Sequence, residues 1–87
     1  MLTITHAARH HIAGLLSPES RGKVLRISSG PEGLQLAIDR VRIGDTTFND
    51  GDKCILAIDQ MLLLSVAGQT LDVECSEGRT VLVLLGA

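Results

Sequence analysis

The 87 residues carry eight basic and ten acidic side chains, a formal charge of −2, and a single aromatic, Phe48, with neither Trp nor Tyr. A chain of this length holds one domain with one core, and its near-neutral charge and lack of base-stacking rings argue against a nucleic-acid or anionic-membrane surface. Because 45% of the residues are hydrophobic, the core must be built from Leu, Ile, Val and Ala.

In chain order, a short extended piece, Leu2 to Ile4, precedes Thr5, whose hydroxyl suits the cap of a helix running to about Leu16. Ala8, Ile12, Leu15 and Leu16 share one face of that helix, leaving Arg9 and His10 toward solvent and His11 on the flank. Ser17-Pro18-Glu19-Ser20 ends it, since the residue before proline is pushed out of helical geometry. Lys23 to Ser28 reads as a strand, and Leu34, Leu36 and Ile38 alternate with Gln35, Ala37 and Asp39 as a second, half-buried one. Between them Ser28 to Gly33 forms the connection of a hairpin, with Ser28 and Ser29 as loop formers.

Ile43-Gly44-Asp45 and Asn49-Asp50-Gly51-Asp52 carry turn chemistry, so Thr46 to Phe48 holds at most a short strand. Cys54 to Ile58 is apolar at every position, which suits a central or doubly covered strand. Asp59 caps a short helix, Gln60 to Val66, that Gly68 stops. Leu71, Val73 and Cys75 then alternate with Thr70, Asp72 and Glu74, and Glu77-Gly78 turns the chain into Thr80 to Leu85 as a second hairpin. There is no internal repeat. No apolar run approaches the ~20 residues of a membrane span, and the first residues lack the basic-then-apolar signal pattern. A cytoplasmic protein is expected, without a membrane or nucleic-acid partner, and its two cysteines reduced.

The order of several short motifs is more informative than any one of them. Leu-Thr-Ile-Thr before an Ala-rich helix, Leu25-Arg26-Ile27-Ser28-Ser29-Gly30, Asp52-Lys53-Cys54, and Val66 to Val73 with its Leu71-Asp72-Val73 together resemble the HesB-like family of A-type iron-sulfur cluster carriers across nearly the whole chain. The resemblance implies one HesB-like domain over residues 1–87: α+β, a small mixed or antiparallel sheet with an N-terminal helix and a second short helix. It also implies a ligand loop at Ser29, Gly30, Pro31, Glu32 and Gly33. There the family's first cysteine ligand corresponds to Pro31, which has neither thiolate nor N–H, and Glu32 replaces a serine. The family's other two ligands form a Cys-x-Cys tail after the last strand, and no such pair occurs up to Ala87. Since clusters are held chiefly by thiolates, the family's site transfers to no residue here.

Other donors are less suited. Cys75 shares a face with Leu71 and Val73 and reads as a small core residue, while Cys54 follows a turn and is more open. His6 and His10, at i and i+4, share a helix face, but no carboxylate or thiol on that turn completes a metal site. Asp39, Asp72 and Glu74 read as a solvated strand face, and no nucleophile stands beside a base. The expectation is a non-catalytic, cofactor-free accessory or protein-interaction scaffold; the alternative is metal or cluster carriage through non-family ligands. Val81 to Leu85, apolar without alternation, asks for cover on both faces, so a homodimer burying part of that strand is expected besides an unknown protein partner.

Overall fold

The computed structural model describes residues 2–16, 21–31 and 33–86. Their elements are β1 (Thr3–Ile4), α1 (His6–Leu15), β2 (Val24–Gly30), β3 (Gly33–Asp39), β4 (Thr46–Asp50), β5 (Lys53–Ile58), α2 (Gln60–Ser65), β6 (Thr70–Ser76) and β7 (Arg79–Leu85). The strands assemble into a three-stranded sheet of order β1-β6-β7 and a four-stranded sheet of order β3-β2-β5-β4. Both are mixed: β1 runs parallel to β6 and β2 to β5, whereas β2–β3, β4–β5 and β6–β7 are antiparallel hairpins. The α+β class expected from the sequence is found, divided between two sheets.

Thr5 caps α1 as its side chain suggests, its Oγ1 accepting the Ala8 N–H at 3.1 Å. The same hydroxyl donates to Asp72 Oδ1 at 2.8 Å, and the Thr5 N–H donates to the Leu71 carbonyl, so the helix start is fastened to β6. Ala8, Ile12 and Leu16 are buried, but Leu15 is 47% exposed, against expectation. Leu16 leaves helical geometry at ψ 109° and takes the buried place in the last turn instead. The proposed stop at Ser17 to Ser20 lies outside the described residues.

β5 lies inside its sheet, and Ile55, Leu56, Ala57 and Ile58 are all buried, as the unbroken apolar run implied. Ile55, Leu56 and Ile58, together with Leu25, Ile27, Leu62, Val66 and Leu71, belong to the hydrophobic core cluster. Two strands are longer than expected. β2 continues through Ser28 and Ser29, which pair with Gln35 and Leu34 and are strand residues, not loop formers, because the hairpin ladder satisfies their backbone groups. β4 likewise takes in Asn49 and Asp50, paired with Cys54 and Lys53 after a register shift at Phe48/Asn49, leaving the turn to Gly51 at φ +63° and Asp52.

Asp59 caps α2, accepting from the Met61 and Leu62 N–H groups, and Gly68 follows with φ +83°. The β6–β7 turn places Glu77 at φ +52° and Gly78 at φ +76°, the left-handed pair that matches strand twist in a two-residue hairpin. Along β6 burial falls from Leu71, buried, to Val73, half-buried, to Cys75, exposed, so Cys75 is not the core residue its alternation implied. The strand runs out from under the opposing sheet. β7 is an edge strand whose Leu82 and Leu84 pack on the core while Val81 and Leu85 stay exposed.

Candidate functional site

The loop singled out in the sequence is the tip of the β2–β3 hairpin. Pairing continues to Gly30↔Gly33, so the connection shrinks to Pro31 and Glu32, the latter outside the described residues. Ser29 and Pro31 are exposed. Gly30 is held close by its neighbour: a Cβ there would stand 2.5 Å from Gln35 Cγ and Cδ, so the Gln35 side chain lies over the glycine. The tip presents a ring without an N–H or a thiol, and it offers a metal nothing soft.

The candidate donors are not gathered at the tip. Leu56 on β5 pairs with Leu25 on β2, which sets Cys54 level with Lys23, eight residues short of Pro31 along the strand. At about 3.3 Å per residue that separation is roughly 26 Å. Cys75 stands in the other sheet, its Sγ 3.8 Å from Thr80 Oγ1, and both thiols are free. His6 and His10 are exposed on α1, with Arg9 between them donating to the Asn49 carbonyl. Among the described residues no three His, Cys, Asp or Glu side chains converge to hold a metal ion. The donor set therefore does not fit an iron-sulfur cluster at the hairpin.

Two other features were not singled out from the sequence. The first is an apolar crevice between the sheets, lined by Ile27, Leu34, Ile58, Leu62, Leu71 and Leu84 among others. It brings the edge strands β3 and β7 to the same opening. The second is a polar clasp on the opposite face of the four-stranded sheet. Arg26, between the buried Leu25 and Ile27, has a side chain only 10% exposed and grips Asp45, 2% exposed, through Nε–Oδ2 and Nη2–Oδ1 contacts of 2.9 Å. Asp45 Oδ2 also accepts the Arg42 N–H at 2.9 Å, and Asp59 Oδ2 stands 3.7 Å from Arg26 Nη2.

This arrangement ties the 40–45 loop and the start of α2 to β2. The Arg26 hydrogen bond holds the Asp45 carboxyl below the usual carboxylate range, and the same bond raises the Arg26 guanidinium above its usual value. Asp72, through the Thr5 hydroxyl, and Asp39, through the Arg40 N–H and the Arg42 side chain, are also lowered. Each of these carboxylates is engaged in structure. The signal available beforehand was a lone charge in the apolar run Val24 to Ile27; nothing local named Asp45 as its partner.

No family model matches the chain, and no curated protein matches its sequence. Among solved structures, the crystal structure of Escherichia coli SufA, involved in biosynthesis of iron-sulfur clusters, matches with a TM-score of 0.78. The fold is SufA-like. The match covers 98% of this chain and 84% of SufA at 19% identity. It agrees in fold with the HesB-like order of motifs, and at that identity it carries over no residue's role. No helix of the described residues is long and apolar enough to cross a membrane.

Proposed function

We propose that the chain is a non-catalytic accessory scaffold on a SufA-like fold that works through protein contact and holds no cluster at its hairpin. The observation that carries this reading is at the β2–β3 tip, where Pro31 occupies the position that the HesB-like resemblance gives to a thiolate. Cys54, roughly 26 Å away along the strand, and Cys75, in the other sheet, do not replace it. Exposed apolar side chains on β3 and β7, including Leu36 and Val81, supply surface for contact.

A competing reading is metal or cluster carriage through Cys54, Cys75, His6 or His10; SufA's involvement in iron-sulfur biosynthesis favours it. Anaerobic purification followed by iron and acid-labile sulfide analysis separates the two. The scaffold reading expects neither in stoichiometric amount. Stoichiometric iron and sulfide, lost in Cys54→Ser, would establish the carrier instead.

A further inference from the structure

Sheets usually blunt their outer strands with shortness, bulges or charge, because an open edge offers unpaired N–H and C=O groups to any extended chain. β1 has two residues, and β4 carries a register shift and ends on Asn49 and Asp50. β7 is longer, but it pairs with β6 at Asp72 and Glu74, which set carboxylates beside it. β3 is seven regularly paired residues in which Asp39, at the end, is the only charge.

That strand is open on its core-facing side as well as along its edge. Leu34, Leu36 and Ile38 lie opposite Ser29, Ile27 and Leu25, and so share their face of the sheet. Yet Leu25 and Ile27 are each 4% exposed, while the three β3 side chains are 48%, 52% and 40% exposed. Leu34 lines the crevice it shares with Leu84, and Leu36 and Ile38 carry an apolar strip onward from it.

Charge marks the far end of this strip. The last β2–β3 pair is Val24↔Asp39, so Lys23 and Arg40 come to the same corner one step beyond it, with Arg21 and Arg42 two residues further along each chain. All four are exposed. The carboxylates nearby are already engaged: Asp39 accepts from the Arg40 N–H and from Arg42 Nη2 at 3.1 Å, and Asp45 accepts from Arg26. The corner is basic although the whole chain carries −2.

We propose that the β3 edge takes up an extended segment of another protein as a further, antiparallel strand, one whose leading residues are acidic and whose following residues alternate apolar with polar. This rests on the contact reading above and names the chemistry of its partner. The edge calls for a strand, because only an extended backbone reaches the alternate N–H and C=O groups that β3 turns away from β2. Leu34, Leu36 and Ile38 then meet apolar side chains at every second residue of the guest. In the antiparallel sense the first guest residues lie at the Asp39 end, where carboxylates face Arg40 and Lys23.

Three half-exposed side chains and one strand edge make a contact well below the size of a standard interface, so the binding is weak, with a Kd on the order of 100 μM. A charged side chain at Leu36, the middle of the strip, abolishes it.

Fluorescence anisotropy of the peptide acetyl-Asp-Glu-Val-Thr-Val-Ser-Val-Thr, labelled at its C-terminus and titrated with the whole chain, tests the proposal. The wild type should bind it saturably. Arg40→Glu, or Lys-Lys in place of the leading Asp-Glu, should weaken binding about fivefold, and Leu36→Lys should abolish it, with circular dichroism and urea midpoints as folding controls. Two further peptides need no variant protein: N-methylation of one alternating set of residues should eliminate binding and N-methylation of the other set should leave it, since only one set bonds to β3. Absence of saturable binding up to about 1 mM protein, equal binding of the Lys-Lys peptide, or indifference to both methylated sets each overturns the proposal. So does peptide release at high protein concentration accompanied by a dimer in sedimentation, which would give the edge to a second copy. Iron and sulfide measured on the same samples keep the two readings apart. A cluster-free chain that ignores the peptides sinks the β3 edge and leaves the contact reading, whereas peptide binding that appears only with stoichiometric iron sinks both.

Discussion

Removing Asp45 should unfold much of what the polar clasp holds. Asp45→Ala takes away two 2.9 Å charge-assisted contacts to Arg26 and the acceptor of the Arg42 N–H, leaving a nearly buried guanidinium whose remaining ion-pair partner among the described residues is Asp59 at 3.7 Å. Breaking a buried pair by deleting one partner costs about 3 kcal/mol, because the remaining charge is desolvated and uncompensated. In a domain of this size that lowers the melting temperature by about 12–24 °C. Urea denaturation of wild type and variant measures the loss directly, with Asp45→Asn expected to lose less because its amide oxygen still accepts. The double replacement Arg26→Leu/Asp45→Leu should recover a large part of the loss, since no charge is then buried. A loss in Asp45→Ala below about 1 kcal/mol would refute the argument, placing the pair among solvent-screened surface bridges.

Further outcomes follow from the same geometry. Since the Asp45 carboxyl lies below its ordinary value of 3.8 when folded, its contribution is complete at neutral pH and is lost as pH falls below that value toward the folded one. The urea midpoint of the wild type should therefore be level near neutrality and decline below about pH 4, and Asp45→Ala should show a shallower acid limb. Glu77, at φ +52° in the β6–β7 turn, bears a conformation that Asn adopts more easily; Glu77→Asn should raise stability by about 0.5–1 kcal/mol in the same assay, and an unchanged midpoint would contradict that. Pro31→Cys places a thiol at the hairpin tip, where among the described residues no group of metal-binding side chains converges. After anaerobic incubation with iron and sulfide it should still hold no stable cluster, and tight one-to-one loading would show that the scaffold needs fewer ligands.

What the sequence discloses is local. Thr5 and Asp59 announce their helices because a cap bonds within its own first turn, and Glu77-Gly78 announces its hairpin because the left-handed pair is a two-residue event. The alternation in Leu34, Leu36 and Ile38 gives the face they share, but not how far the other sheet extends over it. The same limit accounts for Cys75, whose companions Leu71 and Val73 lie under cover that it has left. Long-range pairing is the larger omission. Parallel contacts such as Ile4↔Leu71 and Leu25↔Leu56, which create two sheets, have no turn between them to betray the register. Arg26 and Asp45 are joined by the loop's folding back across 19 residues, and neither side chain names the other beforehand. At the candidate site, the proline at position 31 was legible in the sequence, whereas the distance from Cys54 to the tip needed the β2–β5 register.

The measurement closest to the central claim is anaerobic reconstitution of the wild-type chain with ferrous iron, sulfide and a thiol reductant, followed after desalting by visible absorption and iron and sulfide per chain. A scaffold whose hairpin bears Pro31 and whose thiols stand in separate sheets should emerge colourless with neither element in stoichiometric amount. A stoichiometric visible band that disappears in Cys54→Ser would contradict the account and make the chain a cluster carrier with ligands of its own.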